Sequence, residues 1–233
     1  MRLTFKNGLY IENWYAGKVS LDGGGTTQYL DFTNSIKNLN KNYDRALEWC
    51  SGLGAIGFSL LDSNICNHVT FMDVYQPASD YVLKMAALNN ISHKVTARCI
   101  GKIKDLPSSE KFDVIVGNPP HVINQGVTLE EAHALDVKRG FPLRDKWFVD
   151  NDNRLTVDTD WKIHTEFFNN IGDYCNPGCD LFISEVGGQE HLNIVLAEKS
   201  NFKLKQHFPA PFLANHSHHR ACIQWFTYQP GSI

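Results

Sequence analysis

Between residues 45 and 228, short β-branched or apolar runs alternate with longer segments whose apolar residues recur at helical spacing. Segments 45–50, 68–74, 95–100, 112–116, 180–186, 202–208 and 221–228 read as strands. Segments 55–62, 77–90, 161–174 and 192–199 read as helices, with Pro77 suited to a first helical turn. Strands separated by helices pair in parallel, because each crossover covers a face of the sheet. No helix-length segment separates the last two strands, so they form a hairpin and one of them runs against the rest. The predicted fold is α/β, a doubly wound, mostly parallel seven-stranded sheet with an antiparallel edge hairpin.

Composition fits one such domain. Of 233 residues 42% are hydrophobic, ample to bury a core, and fourteen Phe, eight Tyr and five Trp argue against disorder. Residues 1–44 fall outside the alternation as an N-terminal extension, and 45–233 form the main domain. Within it, residues 121–160 are a polar, irregular insertion of the kind that serves as a lid. Its apolar islands include Trp147 and Phe148, read as packing the lid down rather than paving a pocket. No apolar stretch approaches the length of a membrane span, and the first residues lack a signal-peptide core. A net charge of -3 and a pI near 6.3 give no bulk attraction to nucleic acid. The six cysteines are scattered, which fits a reducing, cytoplasmic setting, and a monomer is favoured. Cys175 and Cys179 have no second pair to match them, so no metal site is expected there.

Glu48-Trp49-Cys50-Ser51-Gly52-Leu53-Gly54-Ala55-Ile56-Gly57 joins the first predicted strand to the first helix. Glycines at such a junction allow a tight turn and close approach of a ligand, and the helix start offers N–H groups to an anionic end. Asp73 ends the second strand, where a carboxylate can accept both hydroxyls of a ribose. Gly52, Gly54 and Gly57 also satisfy the dinucleotide glycine pattern, so the loop alone leaves a nicotinamide cofactor open. Glu48 is not part of that fingerprint, and no Tyr has a Lys four residues later as the common short-chain dehydrogenase pair requires.

The fourth strand ends in Asn118-Pro119-Pro120-His121. Two prolines make a rigid exit, and the residue before a proline is held extended. Asn118 is therefore expected to face outward with its carboxamide unspent, able to accept both hydrogens of a planar NH2. Hydride transfer has no use for such a group.

Together, Glu48 to Gly57, Asp73 and Asn118 to His121 resemble a Rossmann-like S-adenosylmethionine-dependent methyltransferase. Within that class the chain is similar to the small-domain group with an Asn-Pro-Pro-aromatic motif. That group includes the glutamine-N5 methyltransferases of release factors and the guanine-N2 methyltransferases of ribosomal RNA. The resemblance spans roughly residues 45–228. It implies S-adenosylmethionine as cofactor, with Ser51, Gly52 and Gly54 along its methionine part, Glu48 nearby and Asp73 on the ribose. It also implies that Asn118 is among the cofactor-binding residues and, with the Pro119 carbonyl, orients an acceptor nitrogen beside the cofactor, with Pro120 and His121 completing the motif. The N-terminal extension is expected near the cofactor mouth. The implied activity is N-methylation of a protein glutamine, a nucleobase amine or a small molecule.

Two features depart from the group. His121 stands where an aromatic usually stacks on the acceptor, which keeps a catalytically silent cofactor-binding scaffold as an alternative. The segment 100–105 offers no close match to the acid that binds the adenine amine, so no adenine contact is assigned. Gly23-Gly24-Gly25 reads as a turn more readily than as a hinge, and Asn215 to His219 as a polar turn rather than a metal site.

Overall fold

The structure is a computed structural model that describes residues 2–12, 28–120, 134, 137, 158, 161–186, 190–214 and 221–231. Along the chain its elements are β1 (Arg2–Thr4), β2 (Tyr10–Glu12), α1 (Tyr29–Lys37), β3 (Tyr43–Trp49), α2 (Ala55–Asp62), β4 (Cys66–Asp73), α3 (Gln76–Leu88), β5 (Val95–Cys99), β6 (Phe112–Gly117), α4 (Lys162–Ile171), β7 (Cys175–Val186), α5 (Glu190–Lys199), β8 (Phe202–Pro209), α6 (Pro211–Ala214) and β9 (Ala221–Tyr228).

Period-two burial sets the layers. In β6, Val114 and Val116 face one core while Ile115 faces the other. The first core takes Phe32 of α1, Phe58 of α2 and Val82 of α3. The second takes Phe167 and Phe168 of α4 and Ala197 of α5. Helices thus cover both faces, as a parallel sheet requires.

The sheet runs β5-β4-β3-β6-β7-β9-β8, and β9 alone runs against the other six strands. This is the predicted seven-stranded fold, with the reversed strand lying one place in from the edge. After β3 the chain builds outward through β4 and β5, then returns to β6 on the other side. The strand order reverses between β3 and β6, and in open α/β sheets ligands bind beyond the C-terminal ends of the strands at such a reversal.

Three local features differ from expectation. Strand β7 begins at Cys175 rather than 180: Cys175 pairs with Phe112, and pairing resumes at Asp180 opposite Val114, leaving the residues between them as a bulge. Helix α1 was not legible, because Thr33, Asn34 and Ser35 are weak helix formers. Its stability comes from fully buried Phe32 and Ile36, while the Thr33 and Ser35 hydroxyls donate to carbonyls one turn back. The hairpin β1–β2 hooks onto the far ends of α2 and α3. Asp62 accepts the Asn7 and Leu9 N–H groups at 2.9 and 3.0 Å, and Asn89 pairs in both directions with the Tyr10 backbone.

At the N-terminal edge of the sheet, the buried Asp180 carboxylate accepts from Lys41, Tyr43, Trp225 and Thr227. Among the described residues, no helix is long and apolar enough to cross a membrane.

Candidate cofactor and acceptor site

The loop after β3 turns three times through the left-handed region, at Cys50 (φ 55°), Gly52 (φ 51°) and Gly54 (φ 77°). Ser51 ties it to the next strand by donating its N–H to the Met72 carbonyl at 3.0 Å, and Gly54 N–H returns to the Ser51 carbonyl at 2.7 Å. A Cβ on Gly54 would lie 2.7 Å from the Phe71 ring, so the loop is pressed down onto β4. A Cβ on Gly52 would meet nothing within 4 Å, so this stretch of backbone borders open space at the start of α2.

Glu48 lies beneath this loop. Its carboxylate accepts the Gly57 N–H at 2.7 Å and is 2% exposed, so it holds the first turn of α2 against the sheet. Burial pushes its carboxyl up from 4.5 to about 8, against the pull of the Gly57 and Ile56 N–H bonds. The folded protein therefore binds this proton more tightly than the unfolded chain. That contribution to stability is full below about 4.5 and is lost as pH rises through about 8. Thermal melts at pH 5.5 and pH 8.5 test this. Glu48→Gln keeps an oxygen for Gly57 and removes the titration, so its melting temperature should rise relative to the parent at the higher pH. A difference independent of pH would contradict it.

Asp73 ends β4 facing the loop. One carboxylate oxygen accepts the Gly52 N–H and the other the Tyr75 N–H, each at 2.8 Å. Burial raises its carboxyl, and the bonds from Tyr75, Gly52 and Val74 pull it back. The carboxylate is thereby fixed in orientation at the C-terminal end of β4. An open glycine backbone, a helix N-terminus and an oriented carboxylate fit a nucleoside ligand with an anionic end.

On the other strand of the order reversal, Asn118 follows β6. Its carboxamide is not unspent as the sequence led us to expect. Nδ2 donates to Gln28 Oε1 at 2.9 Å, and Oδ1 accepts from the Ser184 hydroxyl at 2.5 Å. Register explains the second bond, since Gly117 pairs with Ile183 and the next residues along are Asn118 and Ser184. Beneath this turn the strands approach closely, and a Cβ on Gly117 would lie 3.1 Å from the Trp49 ring. Trp49 in turn stacks on Phe167, with centroids 3.9 Å apart, and meets His164 edge-on. His164 is anchored by Asp158, whose carboxylate lies 2.6 Å from Nδ1 and also accepts the Ile163 and His164 N–H groups. Burial pushes the Asp158 carboxyl up, but these bonds outweigh it and leave it below its ordinary value.

The structure thus brings Ser51, Gly52, Gly54, Asp73, Asn118, Pro119 and Pro120 to the C-terminal edge of the sheet, with Glu48 under the loop. His121, Gly23 to Gly25, Trp147, Phe148 and Asn215 to His219 lie outside the described residues. All six cysteines are free thiols. Sequence reasoning missed Gln28 and Ser184. Ser184 ends the apolar run Leu181-Phe182-Ile183, a visible signal once register is known; nothing local links Gln28 to a residue ninety positions away.

The pattern of a family described as the methyltransferase small domain matches residues 29–138, from α1 past β6, so it takes in the loop, Asp73 and Asn118. Ribosomal protein L11 methylase from Lactobacillus delbrueckii subsp. bulgaricus superposes with a TM-score of 0.56 and 13% identity, over 88% of this chain and 78% of that one. A methyltransferase from Pyrococcus furiosus gives 0.55 and 18% over 88% and 85%. The T. thermophilus 16S rRNA N2 methyltransferase RsmC, in complex with AdoMet and guanosine, gives 0.57 and 15% over 98% of this chain and 50% of that one. This chain therefore spans half of RsmC's length, and at these identities the likeness is one of fold, that of the Rossmann-like methyltransferases. No curated protein matches the chain.

Proposed function

We propose that this chain, through its methyltransferase small domain, methylates a planar amide or amino nitrogen. The observation that supports the reading is that Asn118, its carboxamide bonded to Ser184 and Gln28, follows β6, while Gly52 follows the neighbouring β3 and is bonded to Asp73 at the end of β4. S-adenosylmethionine supplies an electrophilic methyl group on a sulfonium. Asp73 would hold its ribose, and the backbone of Ser51, Gly52 and Gly54 its methionine part, with Glu48 fixing the helix start behind them.

An amide or exocyclic amine nitrogen is a poor nucleophile because its lone pair is delocalised into a π-system. Asn118 Oδ1 and the Pro119 carbonyl are both hydrogen-bond acceptors on a backbone that two prolines hold rigid. Bonds from both N–H groups of the acceptor to these oxygens favour a more pyramidal nitrogen and aim its lone pair toward the cofactor. Positioning and exclusion of water do the remaining work, and no strong base is needed before the methyl group moves.

The acceptor class follows from likeness and chemistry together. The superposable L11 methylase is named for a ribosomal protein and RsmC for 16S rRNA, so a protein amide and a nucleobase amine both suit the same oxygen pair. Tritium transfer from S-adenosylmethionine to fractionated cell protein and RNA tests the reading. Label should enter one fraction and should depend on Asn118. Cofactor binding without label in any fraction would make the protein a silent scaffold, and binding of NAD in its place would overturn the cofactor as well.

A further inference from the structure

We infer that the outer face of β3, β4 and β5 docks a nucleic-acid strand by its phosphates, through Arg45, Arg98 and His68. The inference concerns binding and does not depend on the role proposed for Asn118. The β5–β6 connection carries no α-helix. Outward from Leu47 and Met72 of the second core, the same face of the sheet carries polar, half-buried side chains. Arg45 pairs in register with His68, and His68 Nε2 lies 3.3 Å from the Thr96 hydroxyl, so the three strands each place one residue in a row. Arg98, two residues beyond Thr96, shares that face.

Glu110 sits among them, 7% exposed. One carboxylate oxygen accepts from Arg98 Nη2 at 2.8 Å, the other from Arg45 Nη2 at 3.3 Å and the Thr70 hydroxyl at 3.2 Å. One negative charge thus holds two guanidinium groups, each on a side chain 39% exposed, and a positive charge is left over. Burial first and Arg45 second lower the His68 pKa, against the opposite pull of Glu110 and Asp44. At neutral pH the imidazole is therefore uncharged, and the excess charge belongs to the arginines. Six buried side-chain polar atoms of the described residues lack a partner, and three of them are Arg45 Nε, Arg98 Nε and His68 Nδ1. Such gaps disfavour the folded state, so the cluster is not arranged for stability alone.

The charge of the neighbouring chain agrees. From Lys94 to Lys111 there are five Lys or Arg against two Asp or Glu, in a protein whose net charge is -3. Lys102, Lys104 and Lys111 are exposed. Planar guanidinium forks held in place by a shared acid suit phosphate oxygens, and a row of cations suits their repetition along a strand. Arg45 lies four residues before the end of β3, about 13 Å along the strand. A few nucleotides bridge that distance, so a strand docked here reaches the edge where Gly52 and Asn118 lie.

The test measures binding of a fluorescent oligouridylate of about 15 nucleotides to the full chain across a salt series. Arg45→Gln with Arg98→Gln should weaken binding at low salt by roughly 10- to 100-fold. The slope of log affinity against log salt should become shallower by about 1.4, for two phosphate contacts on a single strand. Lys37→Gln with Lys84→Gln removes the same charge from exposed positions of α1 and α3, which pack on the first core, and should leave the slope unchanged. Glu110→Gln removes the opposing charge and should strengthen binding, which a purely structural ion pair would not do. Thr96→Glu places an acid beside the arginines and should weaken binding even where the double arginine variant fails to fold. An unchanged slope in the arginine and Thr96→Glu variants, or an equal change in the Lys37 and Lys84 variant, overturns the inference. Polyglutamate or inorganic phosphate competing as well as unlabelled oligouridylate would overturn the assignment to nucleic acid. Intact oligouridylate binding with a fully active Asn118→Ala protein would sink only the acceptor role of Asn118.

Discussion

Replacing Asn118 with alanine should reduce methyl transfer by roughly 10²- to 10³-fold, the loss seen when one oriented hydrogen-bonding group is removed from a reacting centre. The expectation follows from where the side chain sits. It follows the end of β6, where its carboxamide is bonded to Ser184 and Gln28, and β6 lies beside β3, whose following loop carries Gly52. In the proposed role, alanine removes an acceptor for the attacking nitrogen and leaves the Gly52–Asp73 pair untouched. Calorimetry should therefore show S-adenosylmethionine binding within a few-fold of the parent, while single-turnover transfer collapses. A parallel loss of binding and rate would place Asn118 in the cofactor site instead and remove its role toward the acceptor.

Asp180→Ala should be the most damaging substitution for the fold. The carboxylate is fully buried and accepts from Lys41 Nζ at 2.6 Å, Tyr43 Oη at 2.8 Å, Trp225 Nε1 at 2.8 Å and Thr227 Oγ1 at 3.0 Å. These donors come from the residues entering β3 and from β9, so one side chain of β7 ties three parts of the sheet together. The Tyr43 phenol is held neutral by burial first and by the Asp180 charge second. Lys41 is half exposed and can return to water, but the other donors cannot do so freely. Leaving them unpaired costs about 3 to 5 kcal/mol. For a domain of this size the melting temperature should drop by roughly 6 to 20 °C. Because the site lies at the opposite edge of the sheet, cofactor affinity measured well below the new midpoint should be nearly unchanged. A drop of under about 2 °C would mean that the four bonds are individually worth little.

The sheet was legible because its strands carry their signal locally. Runs such as Val114-Ile115-Val116 and Leu181-Phe182-Ile183 are buried on both faces and need no alternation to be found. The glycine loop, Asp73 and Asn118 were legible because each sits where a strand ends, and the order of strands fixes which ends meet. What stayed hidden depends on contacts between distant parts of the chain. Helix α1 is held by Phe32 and Ile36 packing against the first core, not by its own propensity. The start of β7 was obscured because Pro177 and Gly178 are weak strand formers, yet they lie in a bulged stretch of a strand that has already begun at Cys175. The Asn118 carboxamide looked unspent because neither Ser184, one step beyond the paired residue of the next strand, nor Gln28, at the start of a helix, leaves a mark near residue 118.

A crystal structure of the full chain with S-adenosylhomocysteine is the most direct measurement. The ribose hydroxyls should lie on Asp73, the homocysteine part along Ser51 to Gly54, and the sulfur should face Asn118 Oδ1 across a gap that admits one flat nitrogen. A ligand bound away from the C-terminal ends of β3 and β6, or a sulfur turned from Asn118, would contradict it.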